Sequence, residues 1–193
     1  MTTDSLFADF IHRIREGDER AAQELVSQYE SLVRREVRMH LEDPRLQRVL
    51  DSMDVCQSVM ASFFLRSRAG QYDLESPEQL VGLLVTMARN KVVSAARNEQ
   101  RRKRDVRRIA GDSEAVNRLT DSGQSPSEIV SHDELFAKFQ AGLNDEERLL
   151  SELRSDGLEW AEIARQIGGT AQARRMQLAR AVDRVSRELG LEE

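Results

Sequence analysis

The chain has 193 residues, a third of them charged and only 5% aromatic, and carries a net charge of −5. That length holds one or two domains, and the composition suits helical, solvent-rich domains with thin cores. No run reaches the roughly eighteen apolar residues of a membrane span, and MTTDSLFADF lacks a basic-then-apolar signal, so a soluble, cytoplasmic protein with no membrane insertion is expected.

Helical periodicity dominates, and no segment alternates as a half-buried strand would. Phe7, Phe10, Ile11 and Ile14 make a first apolar stripe that ends at Gly17. Asp18 caps a second helix that buries Ala21, Ala22, Leu25, Tyr29, Leu32 and Val33 and runs to about Leu41, since Pro44 forbids much more. Asp51 or Ser52 opens a third helix, with Val55, Val59, Phe63 and Phe64 inward and Asp54, Gln57 and Ser58 outward. Cys56, the one cysteine, lies within this apolar pattern and reads as an inert, partly buried thiol; alone it forms neither an internal disulfide nor a metal cage. Arg66–Glu75 reads as a polar loop containing Tyr72.

Ser76-Pro77-Glu78-Gln79 is a strong helix start, with a Ser cap, Pro in the first turn and Gln reaching back. The helix buries Leu80, Leu83, Leu84, Met87, Val92 and Ala95 and then turns basic. Arg89, Lys91, Arg97, Arg101, Arg102, Lys103, Arg104, Arg107 and Arg108 are opposed there only by Glu99 and Asp105. The negative net charge therefore does not exclude a nucleic-acid partner, because DNA responds to potential within a Debye length of about 8–10 Å.

From Asp105 to about Gln124 periodicity fades and Gly, Ser, Asp and Asn appear, the signature of a tether. Ser125-Pro126-Ser127-Glu128 is a second capping box. Asn144-Asp145-Glu146-Glu147 is a third, opening a helix with Leu149, Leu150 and Leu153 inward that stops at Gly157. Trp160, Ile163, Ala164 and Ile167 form a short apolar stripe, Gly168-Gly169 breaks it, and Thr170 caps a helix carrying Leu178, Ala181, Val182, Val185 and Leu189. Two helices joined by a short Gly-containing turn have the form of a helix-turn-helix. The expected fold is all-α: a helical domain over 1–104, a flexible linker over 105–125 and a second helical domain over 126–193.

Functional content lies opposite the apolar stripes. Gln172, Arg175, Met176 and Ala179 face outward at the N-terminal end of the last helix, the end that meets base edges in a major groove. Arg180 and Arg184 suit backbone phosphates, while Arg174 falls on the inner side and is expected to snorkel outward. The Arg89-Asn90-Lys91 triplet, the basic run after it and the loop with Tyr72 together describe a trap for single-stranded DNA. On composition alone, Asp54, Gln57 and Ser58 are ordinary surface residues. His12, His40 and His132 are far apart, and there is neither a Gly-rich phosphate loop nor a nucleophile elbow, so no catalysis, cofactor or metal is expected.

Read together, these segments resemble sigma-70-type RNA polymerase sigma factors of the extracytoplasmic-function class, over nearly the whole chain. Gly17-Asp18-Glu19-Arg20-Ala21-Ala22 is similar to an early G-D-x-x-A stretch, and Asp54-Val55-Cys56-Gln57-Ser58-Val59 with Phe63-Phe64 to the segment that docks on the polymerase clamp helices. LLVTMARNKVVSAAR, residues 83–97, is similar to the helix that melts and reads the minus-10 element. Glu162-Ile163-Ala164 through Arg180-Ala181 is similar to the minus-35 reader. Ser94 stands where the family often has Asp, and Ala173-Arg174 where it has Thr-Val, so the minus-35 preference does not transfer.

The resemblance implies core RNA polymerase (clamp helices and flap) and promoter DNA as partners, with an anti-sigma factor as a further candidate. It implies core docking by Asp54, Gln57 and Ser58, and minus-10 contacts by Arg89, Asn90, Lys91, Arg97, Arg101 and Arg102. It implies minus-35 contacts by Thr170, Gln172, Arg174, Arg175, Met176 and Arg180. The rival readings are a helix-turn-helix regulator that binds duplex DNA without polymerase, and an interaction adaptor that has lost DNA binding.

Overall fold

The computed structural model describes residues 3–41, 51–109 and 132–191, and among them it forms eight helices and no strand. These are α1 (Thr3–Arg15), α2 (Glu19–His40), α3 (Ser52–Arg68), α4 (Pro77–Ile109), α5 (His132–Ala141), α6 (Asp145–Ser155), α7 (Trp160–Ile167) and α8 (Ala171–Glu188). Pro44, the Ser125–Glu128 capping box and residues 110–125 of the expected linker lie outside the described residues.

The helix starts follow from short polar side chains that satisfy otherwise unpaired N–H groups. The Asp18 carboxylate accepts from the Arg20 and Ala21 amides at 2.8 and 3.1 Å, and the bond from Ala21 leads in holding its pKa below the usual value. Asp51, rather than Ser52, caps α3 by accepting from the Met53 amide at 2.9 Å. Ser76 accepts from the Gln79 amide at 3.4 Å, while the Gln79 side chain accepts from the Glu75 amide at 2.9 Å, one residue earlier than a standard capping box. At α6 the box is complete, with Asn144 and Glu147 exchanging bonds of 2.9 and 3.0 Å.

Two clusters of buried side chains organise the helices. The first joins α1–α4 around Leu25, Val33, Phe63, Leu80, Leu84 and Met87, with Phe10, Tyr29, Leu32 and Leu83 half-buried at its edge. The second joins α5–α8 around Phe139, Leu150, Ile163, Leu178 and Val182, and it also takes in Leu65 and Ala69 from the end of α3. Most predicted stripes therefore face inward. Leu149 does not: it is 40% exposed, because the turn from Leu150 toward Leu153 faces the core and Leu149 lies outside that arc.

Two helix boundaries differ from the expected ones. The segment from Arg66 to Arg68 belongs to α3 rather than to a loop, and the connection to α4 starts only at Ala69. The basic helix α4 continues past Asp105 to Ile109, spanning 33 residues or about 50 Å. Charged residues are good helix formers, so loss of the apolar stripe does not end the helix.

The end of α3 meets the second cluster through close polar contacts as well as apolar ones. Arg154 is buried; its guanidinium donates to the Gly70 carbonyl at 3.2 Å and to the Asp73 carboxylate, and lies 4.8 Å from the Trp160 ring centroid. The Ser155 hydroxyl donates to the Arg68 carbonyl at 2.6 Å, and Arg68 pairs with Asp133 at 2.7 Å while lying over the Phe136 ring. Gly70, at φ +69°, allows this approach: a Cβ there would overlap the Arg154 side chain and sit 3.1 Å from its backbone carbon.

Candidate functional site

The helix-turn-helix expected at the C-terminus is present. Trp160 and Ile163 are buried on α7, Glu162 accepts from the Glu159 amide at 3.1 Å, and Gly168 and Gly169 turn the chain at φ +82° and +86°. Positive φ at both positions is strained for any residue with a Cβ, which is why a Gly pair makes this turn. Thr170 then accepts from the Ala173 amide at 3.1 Å and opens α8, whose inner face buries Leu178, Ala181, Val182 and Val185.

The arginines of α8 divide into two sets. Arg175 and Arg180 are exposed, as are Gln172 and Thr170, and Met176 is 45% exposed. Arg174 and Arg184 are turned inward. Arg174 donates to the carbonyls of Gly168 and Ile167 at 2.9 and 3.1 Å and to Glu146 at 2.6 Å. It thereby caps the C-terminal carbonyls of α7 and does not snorkel to solvent as expected. Bonds from Arg174, then from Gln177, hold the Glu146 carboxyl below its usual pKa. Arg184 bonds the Gly142 carbonyl at 3.0 Å and Glu147 at 2.7 Å, so it fastens α8 to α6 and is not presented for phosphates.

On α4, Arg89, Asn90, Arg97 and Arg101 are exposed and Lys91 is partly so; the Arg102 side chain lies outside the described residues. Arg89 is held by Glu36 of α2 at 2.9 Å, and Glu36 also pairs with His40 at 3.3 Å. The neighbouring loop is anchored to the core. Tyr72 stacks on Phe63 with ring centroids 6.1 Å apart and planes 14° apart, its hydroxyl lies 3.8 Å from the Met87 sulfur, and Arg15 bonds its carbonyl. The Tyr72 ring is therefore part of the first core, not a platform turned toward solvent.

On α3, Asp54 and Gln57 are exposed on one face. Ser58 is buried, 6% exposed, and its hydroxyl has no hydrogen-bond partner among the described residues, which corrects the outward placement. One step of helical rotation carries it past the solvent edge toward Val55 and Val59. Cys56 is buried as expected, and desolvation pushes its thiol up to about 11, so it stays protonated near neutrality.

Arg66, Asp73, Arg154 and Asp183 were not singled out by sequence reasoning, yet they join the two clusters. Arg66 is 5% exposed and bonds Asp183 of α8 at 2.8 Å and Gln71 at 3.0 Å. The signal in the sequence is Phe63-Phe64-Leu65, three large apolar residues in succession that spread over more than half the helix circumference; every residue from Ser62 to Ser67 is buried. A helix apolar over so wide an arc is covered on more than one side.

No group of His, Cys, Asp and Glu among the described residues is arranged to hold a metal, and no helix among them is long and apolar enough to cross a membrane. Among known families, the model described as ECF sigma factor matches residues 4–189. Comparison with curated proteins and with solved structures gave no match.

Proposed function

The chain belongs to the ECF sigma factor family, and on that premise we propose that it directs promoter-specific initiation by core RNA polymerase through three surfaces. The exposed Asp54 and Gln57 of α3 dock on the clamp helices of the polymerase, with Ser58 beneath them supporting the helix packing. Arg89, Asn90, Lys91, Arg97, Arg101 and Arg102 of α4 hold the opened minus-10 strand. Of these, Arg89 must exchange Glu36 for phosphate.

The N-terminal end of α8 reads the minus-35 duplex. Gln172, Arg175 and Met176 reach base edges, and Thr170 and Arg180 contact the backbone. Arg174 acts here by fixing the turn before α8. The helical units of the proposed division, 1–104 and 126–193 with 105–125 between them, serve as two weak readers whose linkage raises effective concentration. A flap contact by the C-terminal unit and regulation by an anti-sigma factor belong to the same reading.

The observation that carries the proposal is the helix-turn-helix: its Gly168-Gly169 turn is closed by Arg174, which leaves Gln172, Arg175 and Met176 outermost. Centres of minus-10 and minus-35 elements lie about 25 base pairs apart, or ~85 Å along duplex at about 3.4 Å per pair. Helices α4 and α8 instead wall one cleft together with Arg66 and Asp183, so contacting both elements requires the two units to part.

The test is transcription with core polymerase lacking any other specificity subunit, on genomic fragments, with start sites mapped. Defined starts that require this chain, and that vanish in an Asp54→Ala, Gln57→Ala variant of unchanged helix content, are expected. Promoter-specific gel shifts by the protein without polymerase, together with no initiation in its presence, would replace this reading with that of an independent regulator.

A further inference from the structure

Where α4 passes α8, the two helices and the end of α3 enclose a cleft of about 450 Å³. Four guanidinium groups line it, those of Arg66, Arg97, Arg101 and Arg187, against one carboxylate, Asp183. That carboxylate is engaged by Arg66 at 2.8 Å. Arg97, Arg101 and Arg187 are exposed and have no acidic partner among the described residues. Ser186 also lines the cleft; it is 1% exposed, and its hydroxyl has no hydrogen-bond partner among the described residues.

Three guanidiniums without an acidic partner among the described residues repel one another across two facing helices, and a buried hydroxyl without a partner costs stability. A multiply charged anion lying between the helices would relieve both. Guanidinium forks match phosphate oxygens two at a time, which favours phosphate over a simple halide. A net excess of three positive charges calls for more than one phosphate group. The volume lies within the range of small-molecule sites and is far too small to admit a duplex.

We propose that this cleft binds a small polyanion bearing a di- or triphosphate group, which clasps α4 to α8. The ligand touches both helices, so it stabilises the arrangement in which they meet by mass action. One consequence rests on the function proposed above: Arg97 and Arg101 cannot hold this ligand and promoter phosphates together, so the ligand opposes promoter engagement.

The test is calorimetric titration of the full chain with inorganic tripolyphosphate at fixed ionic strength, with sulfate as the screening control. Saturable 1:1 binding is expected, weakened about tenfold in Arg187→Gln and changed less than twofold in Arg175→Gln, which lies on the same helix outside the cleft. The ligand should also raise the melting temperature of the wild type more than that of Arg187→Gln. No saturable binding, or equal weakening by the two substitutions, would overturn the proposal.

A twelve-nucleotide single strand distinguishes the other source of phosphate. If its binding depends on Arg187 while that of tripolyphosphate does not, the cleft serves the nucleic-acid backbone and the small-ligand proposal fails. None of these readings involves polymerase, so they stand or fall apart from the initiation assay.

Discussion

The first core draws its buried side chains from α1–α4 and the adjoining Leu41, whereas the second, built by α5–α8, is completed by Leu65 and Ala69 from the end of α3. The dependence runs one way: no residue of α5–α8 belongs to the first core. Short helices explain it. With α5, α6 and α7 only 10, 11 and 8 residues long, the C-terminal unit has little apolar surface of its own, and small units bury a smaller fraction of their surface. One helix, α3, is thus proposed to present polymerase contacts at its start while it seats the DNA-reading unit at its end.

That asymmetry can be broken most severely at Phe63, which is fully buried, stacks on Tyr72 and meets Phe64 edge-on. Phe63→Ala should cost about 3–5 kcal/mol in urea denaturation followed by circular dichroism. Trp160 is the only tryptophan and sits in the second core, so its emission reports that unit separately. Its midpoint should fall along with the first core in Phe63→Ala. Ile163→Ala should lower the Trp160 midpoint and leave the α1–α4 transition in place. A Trp160 transition unmoved by Phe63→Ala would show that the second core does not lean on α3.

A smaller loss sharpens the comparison at the borrowed residue itself. Leu65 is 2% exposed and lies on α3 but in the second core. Leu65→Ala should destabilise the transition reported by Trp160 by about 2–4 kcal/mol and affect the first core less. Equal shifts in both transitions would place Leu65 in a shared core.

The smallest expected effect is on pH dependence within the second unit. Hydrogen bonds from Arg174 and Gln177 hold Glu146 below its ordinary value of 4.5. A carboxyl depressed on folding contributes stability that is fully present above its unfolded pKa and is lost as pH falls through the folded value. Wild type should therefore exceed Glu146→Gln in Trp160 midpoint at pH 6, and the gap should narrow steadily below pH 4.5. A gap that is constant with pH would assign the difference to packing rather than to charge.

Much of this arrangement is legible in the sequence wherever a local rule decides it. The caps at Asp18, Ser76, Asn144 and Thr170, the Gly168-Gly169 turn and most stripe residues follow from hydrogen-bonding need and helical period. The period does not say what lies across from a polar face. Arg184 reads as a cation for phosphate and Arg174 as one that snorkels to solvent, yet both bond carbonyls and acids within the C-terminal unit. Arg66 reads as the start of a polar loop, yet it and Arg154, which helical spacing does not single out, are covered by other elements. Ser58 and Leu149 fall near the edge of an apolar arc, where a small rotation exchanges inside for outside. The misses at the arginines concern partners outside their own helix, which single-helix spacing cannot name.

Gly70 gives this architecture an unusual point of leverage. Closure between the C-terminal unit and the end of α3 rests there on hydrogen standing where every other residue carries carbon. A single added methyl would act as a wedge, prising the halves apart while deleting none of the groups proposed to touch DNA or polymerase. How closely the C-terminal unit approaches the end of α3 is thus set at one backbone position.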